Sequence, residues 1–420
     1  MSRPTADVIP TVVELHLSEA GLLWPQRCRA VRSPLYTLRQ LAALDERVEA
    51  HLDGLRVAGD FGWGLCRAGL EEGGPGELFA AAVLAFEGGS EDRIGLVLDK
   101  GPTAPPRVRA VVSALGWVPY ERARAVIDRL AGAGPVPLRY AGIAAAAAHR
   151  RRPPFPLSRV LGGDPWLDAR VFRAVGELGA TDARLVIQRG LAHADETCRF
   201  WAAWSGVLVF NDPAALGVLQ AVAEAGGPLA EAAVRLAARR LDSGTASRWV
   251  QRLTRSRRLR TALLAAGAAG DPGAVPWLID QMKLPALARL AGEAFSTITG
   301  ADLAAEHLDE PPPEKVETGP NDNPEDENVA MDEDDALPWP NADAVQKWWA
   351  AHQRRFAAGT RYFLGNAIAV DTLNQALGSA RQRQRAAAAL ELALRQPGSP
   401  LFEVRAPGFR QQAMLGSGGR

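Results

Sequence analysis

The sequence predicts an all-α protein built of stacked helix hairpins. Three observations carry this. First, short turns interrupt the apolar runs at a near-constant interval: Leu115-Gly116, His149, Leu178-Gly179, Phe210-Asn211, Leu241-Asp242 and Ala269-Gly270. They are spaced by 33, 30, 32, 31 and 28 residues, and a weaker copy lies at Gly88-Gly89. A period of this size marks supersecondary units stacked on one another. Second, alanine is abundant, from Ala144–Ala148 to Ala386–Ala389, and alanine both favours helix and lets helices approach closely. Third, Val and Ile rarely alternate with polar residues, so strand signals are almost absent.

Within the period, each unit reads as helix, tight turn, helix, loop. Val171, Val175 and Leu178 recur at helical spacing, and Phe200, Trp204 and Val207 repeat the pattern one unit later. The stretch from Gly179 to Ile187 aligns with Asn211–Leu219 and with Gly270–Ile279. Pro213 and Pro272 suit a first helical turn, where no amide partner is lost. Asp212 and Asp271 before them suit the N-cap. One hairpin cannot bury enough apolar surface to offset ordering costs of about 1.5 kcal/mol per residue, so neighbours must supply the burial.

The ends differ from the repeats. Thr37-Leu-Arg-Gln40 is a capping-box pattern, followed at helical spacing by Leu38, Leu41, Leu44, Val48, Leu52 and Leu55. An earlier helix is expected from Val12 to Trp24. Together they form a cap over residues 1–75, with the repeat array spanning 76–308. Residues 309–335 hold twelve acidic residues and one lysine, a net charge of −11 in a chain of net charge zero. Such a block repels itself, and Pro311-Pro312-Pro313 bars helix, so 309–337 is expected to be a disordered acidic linker. A solvated spacer is one reading. Another is a strand that folds back onto basic residues and competes with an anionic partner. Residues 338–420 read as a helical, aromatic-rich segment with an irregular tail. Its helices are expected at about 368–378 and 380–396.

Composition bounds the function. With 420 residues and 47% hydrophobic residues, the chain exceeds the size of about 250–300 residues at which a single core stops growing. An array meets that limit. Cys28, Cys66 and Cys198 are too few and scattered for a disulfide framework. No stretch approaches the roughly 18 apolar residues of a membrane span, and the N-terminus lacks a secretory core. A cytoplasmic protein that meets no membrane is expected.

The thirty-residue period resembles the short form of HEAT-like repeats found in bilin-lyase-type proteins, over residues 76–308. Four further stretches extend a likeness nearly end to end: Asp45–Arg56, Ile298-Thr-Gly300 with Asp302-Leu303, Leu337-Pro-Trp-Pro340, and Arg381–Ala393 with Leu401–Pro407. They resemble an uncharacterised family of bacterial HEAT-like proteins, several of which are encoded beside type VI secretion components. The resemblance implies a short α-solenoid of about seven hairpins with helical caps. It also implies an adaptor, chaperone or immunity role in a secretion or effector system. It carries over no catalytic residue.

The residues themselves supply no catalytic signature. No GxSxG, Walker loop or GxGxxG is present. HEAT-like diiron hydroxylases repeat His-Glu pairs, whereas this chain has only the reversed Glu306-His307. No metal or cofactor is expected. Glu14 and His16 point to different faces of their helix. Arg199 beside Cys198 would lower a thiol pKa, but the aromatic surroundings favour a buried structural cysteine. The candidate partner-binding residues are therefore the arginines near successive turns and the tryptophans beside them. They are Arg150, Arg151, Arg152, Arg199, Trp201, Arg235, Arg239, Arg257, Arg258, Trp348 and Trp349. A protein partner on an exposed inner surface is the leading expectation, since Arg and Trp anchor many interfaces. Phosphate tracking by the arginines on a nucleic acid is the alternative. A lyase or hydroxylase on the same frame is a third.

Overall fold

Helix follows helix through residues 8–313, 332 and 334–417, which the computed structural model describes. In chain order come α1 (Pro10–Ala30), α2 (Leu38–Val57), α3 (Gly59–Glu72), α4 (Pro75–Gly88), α5 (Glu91–Lys100), α6 (Pro105–Trp117) and α7 (Tyr120–Gly132). Next are α8 (Val136–Ala148), α9 (Pro165–Leu178), α10 (Arg184–Leu191), α11 (Glu196–Phe210), α12 (Pro213–Ala225), α13 (Ala230–Arg240) and α14 (Ser243–Arg255). Then follow α15 (Leu259–Ala269), α16 (Val275–Met282), α17 (Pro285–Thr299) and α18 (Ala342–His352). A small antiparallel pair, β1 (Tyr362–Phe363) and β2 (Asn366–Ala367), precedes α19 (Val370–Ser379), α20 (Gln382–Arg395) and α21 (Gly408–Ser417). The protein is mostly helical. The chain divides into two compact units, one from Met1–Arg32, Tyr36–Ser205 and Gly398–Arg420, the other from Ser33–Leu35 and Gly206–Pro397.

The period is visible in the helix starts. Alternate helices begin at residues 75, 105, 136, 165, 196, 230, 259 and 285, except that only a 3-10 turn, Leu157–Val160, separates α8 from α9. Local chemistry sets these ends. Proline opens α4, α6, α9, α12 and α17, and left-handed glycines close α4, α9, α15 and α17, the residues each end tolerates best. Asp212 Oδ1 accepts from the amides of Ala214 (2.8 Å) and Ala215 (3.3 Å). Asp271 caps a 3-10 turn, Pro272–Ala274, that leads into α16. The Thr37–Gln40 capping box is formed in full. Two ends fall elsewhere than the sequence suggests. Gly116 lies inside α6, which ends where Val118 and Pro119 turn the chain. The first helix runs on to Ala30 with Pro25 inside it.

In the first unit, α4, α6, α8 and α9 pack each on the next, with α5 against α4 and α7 against α8. Residues Leu78 to Phe86 of α4 are all buried. Phe79 stacks on Trp24 (5.8 Å between centroids) and meets the edge of Trp117 (5.5 Å). Helices α1 and α4 cross so closely that a Cβ on Gly76 would run into the Gly21 carbonyl.

The tail 398–417 crosses the C-terminal ends of these helices. Orphan carbonyls and the negative end of the helix dipole make such ends natural acceptors. Arg410 donates to the carbonyls of Gly116 (2.8 Å) and Trp117 (2.9 Å) at the end of α6. The amide of Leu401 donates to Glu177 O at the end of α9 (3.1 Å). Gly179, at φ +60°, leaves room for the tail, because a side chain there would strike the carbonyl of Gly398.

The second unit repeats the scheme with a different segment. Helices α13, α15 and α17 pack in succession, paired with α12, α14 and α16. Residues 361–365 cross their C-terminal ends. Arg361 donates to Arg239 O (2.9 Å), Ala269 O (2.8 Å) and Ala268 O (3.2 Å). The amides of Tyr362, Leu364 and Gly365 donate to Gly270 O, Thr297 O and Ile298 O.

Most of the expected linker, 314–331 and 333, lies outside the described residues, as do the N-terminal residues 1–7. Its flanks are ordered. The amide of Glu310 donates to Trp339 O and that of Asn341 to Leu308 O, both at 2.8 Å.

Candidate functional site

The candidate arginines and tryptophans sort into two groups. One is engaged by neighbouring groups, with Arg239 and Trp349 buried and Arg150, Arg199 and Trp348 half-buried. Arg150 sits at φ +55° and donates to the carbonyls of Leu401 and Ala147, with Glu403 Oε2 at 3.0 Å. Arg239 is buried and donates to Arg235 O. Arg199 donates to His193 O and Ala194 O, both at 2.7 Å. Trp349 is buried against Phe356. Trp348 donates to Glu306 (2.6 Å) and stacks on His352.

The other group reaches solvent. Arg151 lies over the Tyr120 ring at 5.4 Å. Arg152 pairs with Asp182 (3.1 Å) at one end of a cleft of about 390 Å³ walled by Pro153–Leu157 and Val186. Arg173 covers Trp201 at 4.5 Å. Arg235 is half-buried beside Glu231 at 3.9 Å. Arg257 and Arg258 are exposed just past α14. That helix is amphipathic: Ala246, Trp249 and Leu253 face inward, and Arg248, Arg252 and Arg255 face solvent. Arg255 stands out in the sequence with Arg257 and Arg258 as a basic cluster, whereas Arg248 and Arg252 on α14 were missed. The i, i+4, i+7 spacing of Arg248, Arg252 and Arg255 was a usable signal.

Sequence distance hid a dense charge cluster. In the first unit Glu177 takes hydrogen bonds from Arg170, from Arg173 (2.9 Å) and from Arg405 (3.3 Å). Glu403 takes them from Arg405 (2.8 and 2.9 Å). Burial works against both carboxylates. The surrounding guanidiniums more than reverse it, so Glu177 lies well below the usual carboxylate range and Glu403 falls to about 2. Four arginines face two glutamates here, which makes the cluster a fastener for the tail.

Other titratable groups are shaped by burial. The Cys66 and Cys198 thiols are both pushed up to about 12, first by burial and, for Cys198, also by Asp195. Neither is a ready nucleophile. His16 and His51 share a hydrogen bond between Nδ1 atoms 3.1 Å apart across α1 and α2. Among the described residues no group of three His, Cys, Asp or Glu is placed to hold a metal ion, and no helix is long and apolar enough to cross a membrane.

His149 gives a pH test. Burial, helped by the Arg410 and Arg151 charges, pushes it down to about 4 despite its hydrogen bond with Leu115 O (2.8 Å). Its folded pKa lies below the unfolded value, so its stabilising share is complete above about pH 6.5 and is lost as pH falls towards 4. Between pH 7.5 and 5 the protein should lose about 2 kcal/mol from this residue. Urea unfolding at both pH values should show a smaller loss for His149→Gln than for the wild type. Equal losses would reject the assignment.

No protein-family model matches the chain, and searches of curated proteins and of solved structures find no significant match.

Proposed function

We propose that this protein is a non-enzymatic protein-interaction scaffold, with a HEAT-type stack of helix hairpins in each unit. The exposed arginine row Arg248, Arg252, Arg255, Arg257 and Arg258 is the observation that carries the reading. A helix that buries one face and devotes the other to arginine offers charge-assisted hydrogen bonds to an acidic surface. The segment 361–365, which ties down helix ends in the second unit, supports the same reading, because it stiffens the unit that presents this face. The resemblance noted in the sequence directs the partner search to secretion or effector proteins, with the chain as adaptor, chaperone or immunity factor.

The test is a pull-down of each protein encoded beside this one, using wild type and the charge reversal Arg252→Glu, Arg255→Glu, Arg258→Glu. The expected result is capture by wild type and loss with the variant. Capture of none of the neighbours would overturn the reading. The same arginine row favours nucleic acid as a second reading. Duplex DNA binding that weakens steeply with salt and is lost in the variant would support it.

A further inference from the structure

We propose that a basin in the second unit, built on Arg260, Arg289 and Arg383, receives an acidic peptide segment of a partner protein, and that the chain's own Asp332, Asp334 and Asp335 occupy it as a stand-in. This rests on the protein-interaction reading and names the partner's chemistry.

The basin is assembled from three helices. Arg260 stands in the first turn of α15, Arg383 in the first turn of α20, and Arg289 one turn into α17. A cation near a helix N-terminus opposes the dipole, so Arg260 and Arg383 run against local preference. Conflicts of this kind concentrate at functional sites. Carboxylates offset the conflict, because they pair with the arginines. Asp334 Oδ2 lies 2.5 Å from Arg260 Nη1, and its Oδ1 lies 3.1 Å from Arg383 Nη1. Asp332 pairs with Arg289, and Asp335 lies 3.5 Å from the same guanidinium. Asp334 is 4% exposed, and its carboxyl titrates below its ordinary value because the two arginines outweigh the cost of burial.

Charge complementarity identifies the occupant. Asp334 bridges Arg260 and Arg383, and Asp332 and Asp335 both meet Arg289, so each of the three arginines is matched by a carboxylate of this segment. An unmet donor lies nearby. Behind Arg383 is a cavity of about 30 Å³ lined by Arg235, Arg239 and Glu293. The buried Arg239 Nε has no hydrogen-bond partner there, and Glu391 stays 3.7 Å away.

A peptide fits this pattern better than a nucleic acid. Glu231 and Glu293 alternate with the arginines and would repel a continuous phosphate chain. A peptide presents carboxylates at discrete points, and the chain's own segment does so from a tight turn, in which the amide of Asp335 donates to Asp332 O (3.1 Å) and that of Leu337 to Asp334 O (2.9 Å).

The experiment uses the full chain and a fluorescein-labelled peptide with the sequence of residues 330–338. Binding is read by fluorescence anisotropy. The variant Asp332→Asn, Asp334→Asn, Asp335→Asn should bind the peptide about tenfold more tightly than wild type, because the competing occupant is gone. Adding Arg289→Glu should abolish the gain, and a peptide with all its Asp and Glu changed to Asn and Gln should not bind. Equal affinity of wild type and variant would overturn the proposal, as would a variant that prefers duplex DNA to the peptide. If the triple variant loses its helical circular dichroism, Asp332→Asn alone leaves Asp334 in place and should still raise affinity; no rise would overturn the proposal. The neighbour pull-down reads α14 instead of this basin. A positive pull-down with unchanged peptide affinity therefore removes this proposal alone, and the reverse outcome removes the scaffold reading.

Discussion

Replacing Glu177 with alanine should cost the first unit about 3–5 kcal/mol of unfolding free energy, the usual penalty for leaving buried charges without their partner. The substitution strands Arg170 and Arg173, whose guanidiniums converge on this one carboxylate from the same helix, and removes an acceptor for Arg405. Arg170 is 5% exposed at its side chain, so water cannot replace the lost acceptor. Arg173 is already held down to about 10 by burial, in spite of Glu177 beside it. Thermal unfolding followed at 222 nm should shift down by about 10 °C. A shift under 3 °C would mean that the cluster is not the fastener described. The acid dependence follows from the depressed carboxyl. Its contribution is complete above the ordinary carboxylate range and disappears as pH falls through the folded value.

The second large effect is expected at Arg27. Its Nε donates to Asp45 Oδ1 (3.0 Å), and its Nη2 donates to Arg405 O (2.7 Å) and Ala406 O (3.0 Å). Asp45 is wholly buried and also accepts from the Gly408 amide at 2.6 Å. Burial pushes the Asp45 carboxyl up despite these partners. Arg27→Met should therefore cost about 3–5 kcal/mol and loosen the tail. Adding Asp45→Leu should recover part of the loss, since the uncompensated charge goes with it. Urea unfolding of the two single variants and the double variant decides the matter. Purely additive losses would show that the pair itself contributes nothing.

Helix after helix was legible in the sequence, because the signals are short-range. The Thr37 box, Asp212 before Pro213 and the glycines at 89, 179, 270 and 300 act within a few residues. The misplaced turn at Gly116 shows the limit. Glycine is tolerated in a helix, and here the stop comes from Val118 and Pro119. The candidate site was legible in part. Arginines near turns stood out, but their roles did not. Arg150, Arg152 and Arg199 share a residue type and a neighbourhood. Yet one is drawn inward by Glu403, one stays at a cleft edge and one ties down a carbonyl.

The sequence by itself determined the helical class, the thirty-residue register and the capping of most helix ends, because amphipathic spacing and cap chemistry operate along a few neighbouring residues. The tertiary structure alone decided which arginines stay exposed, that the tail 398–417 joins the first unit, and that Asp334 finds Arg260 and Arg383. Those outcomes depend on groups brought together across as many as 379 residues of chain, and no local pattern encodes which guanidinium a distant carboxylate will meet.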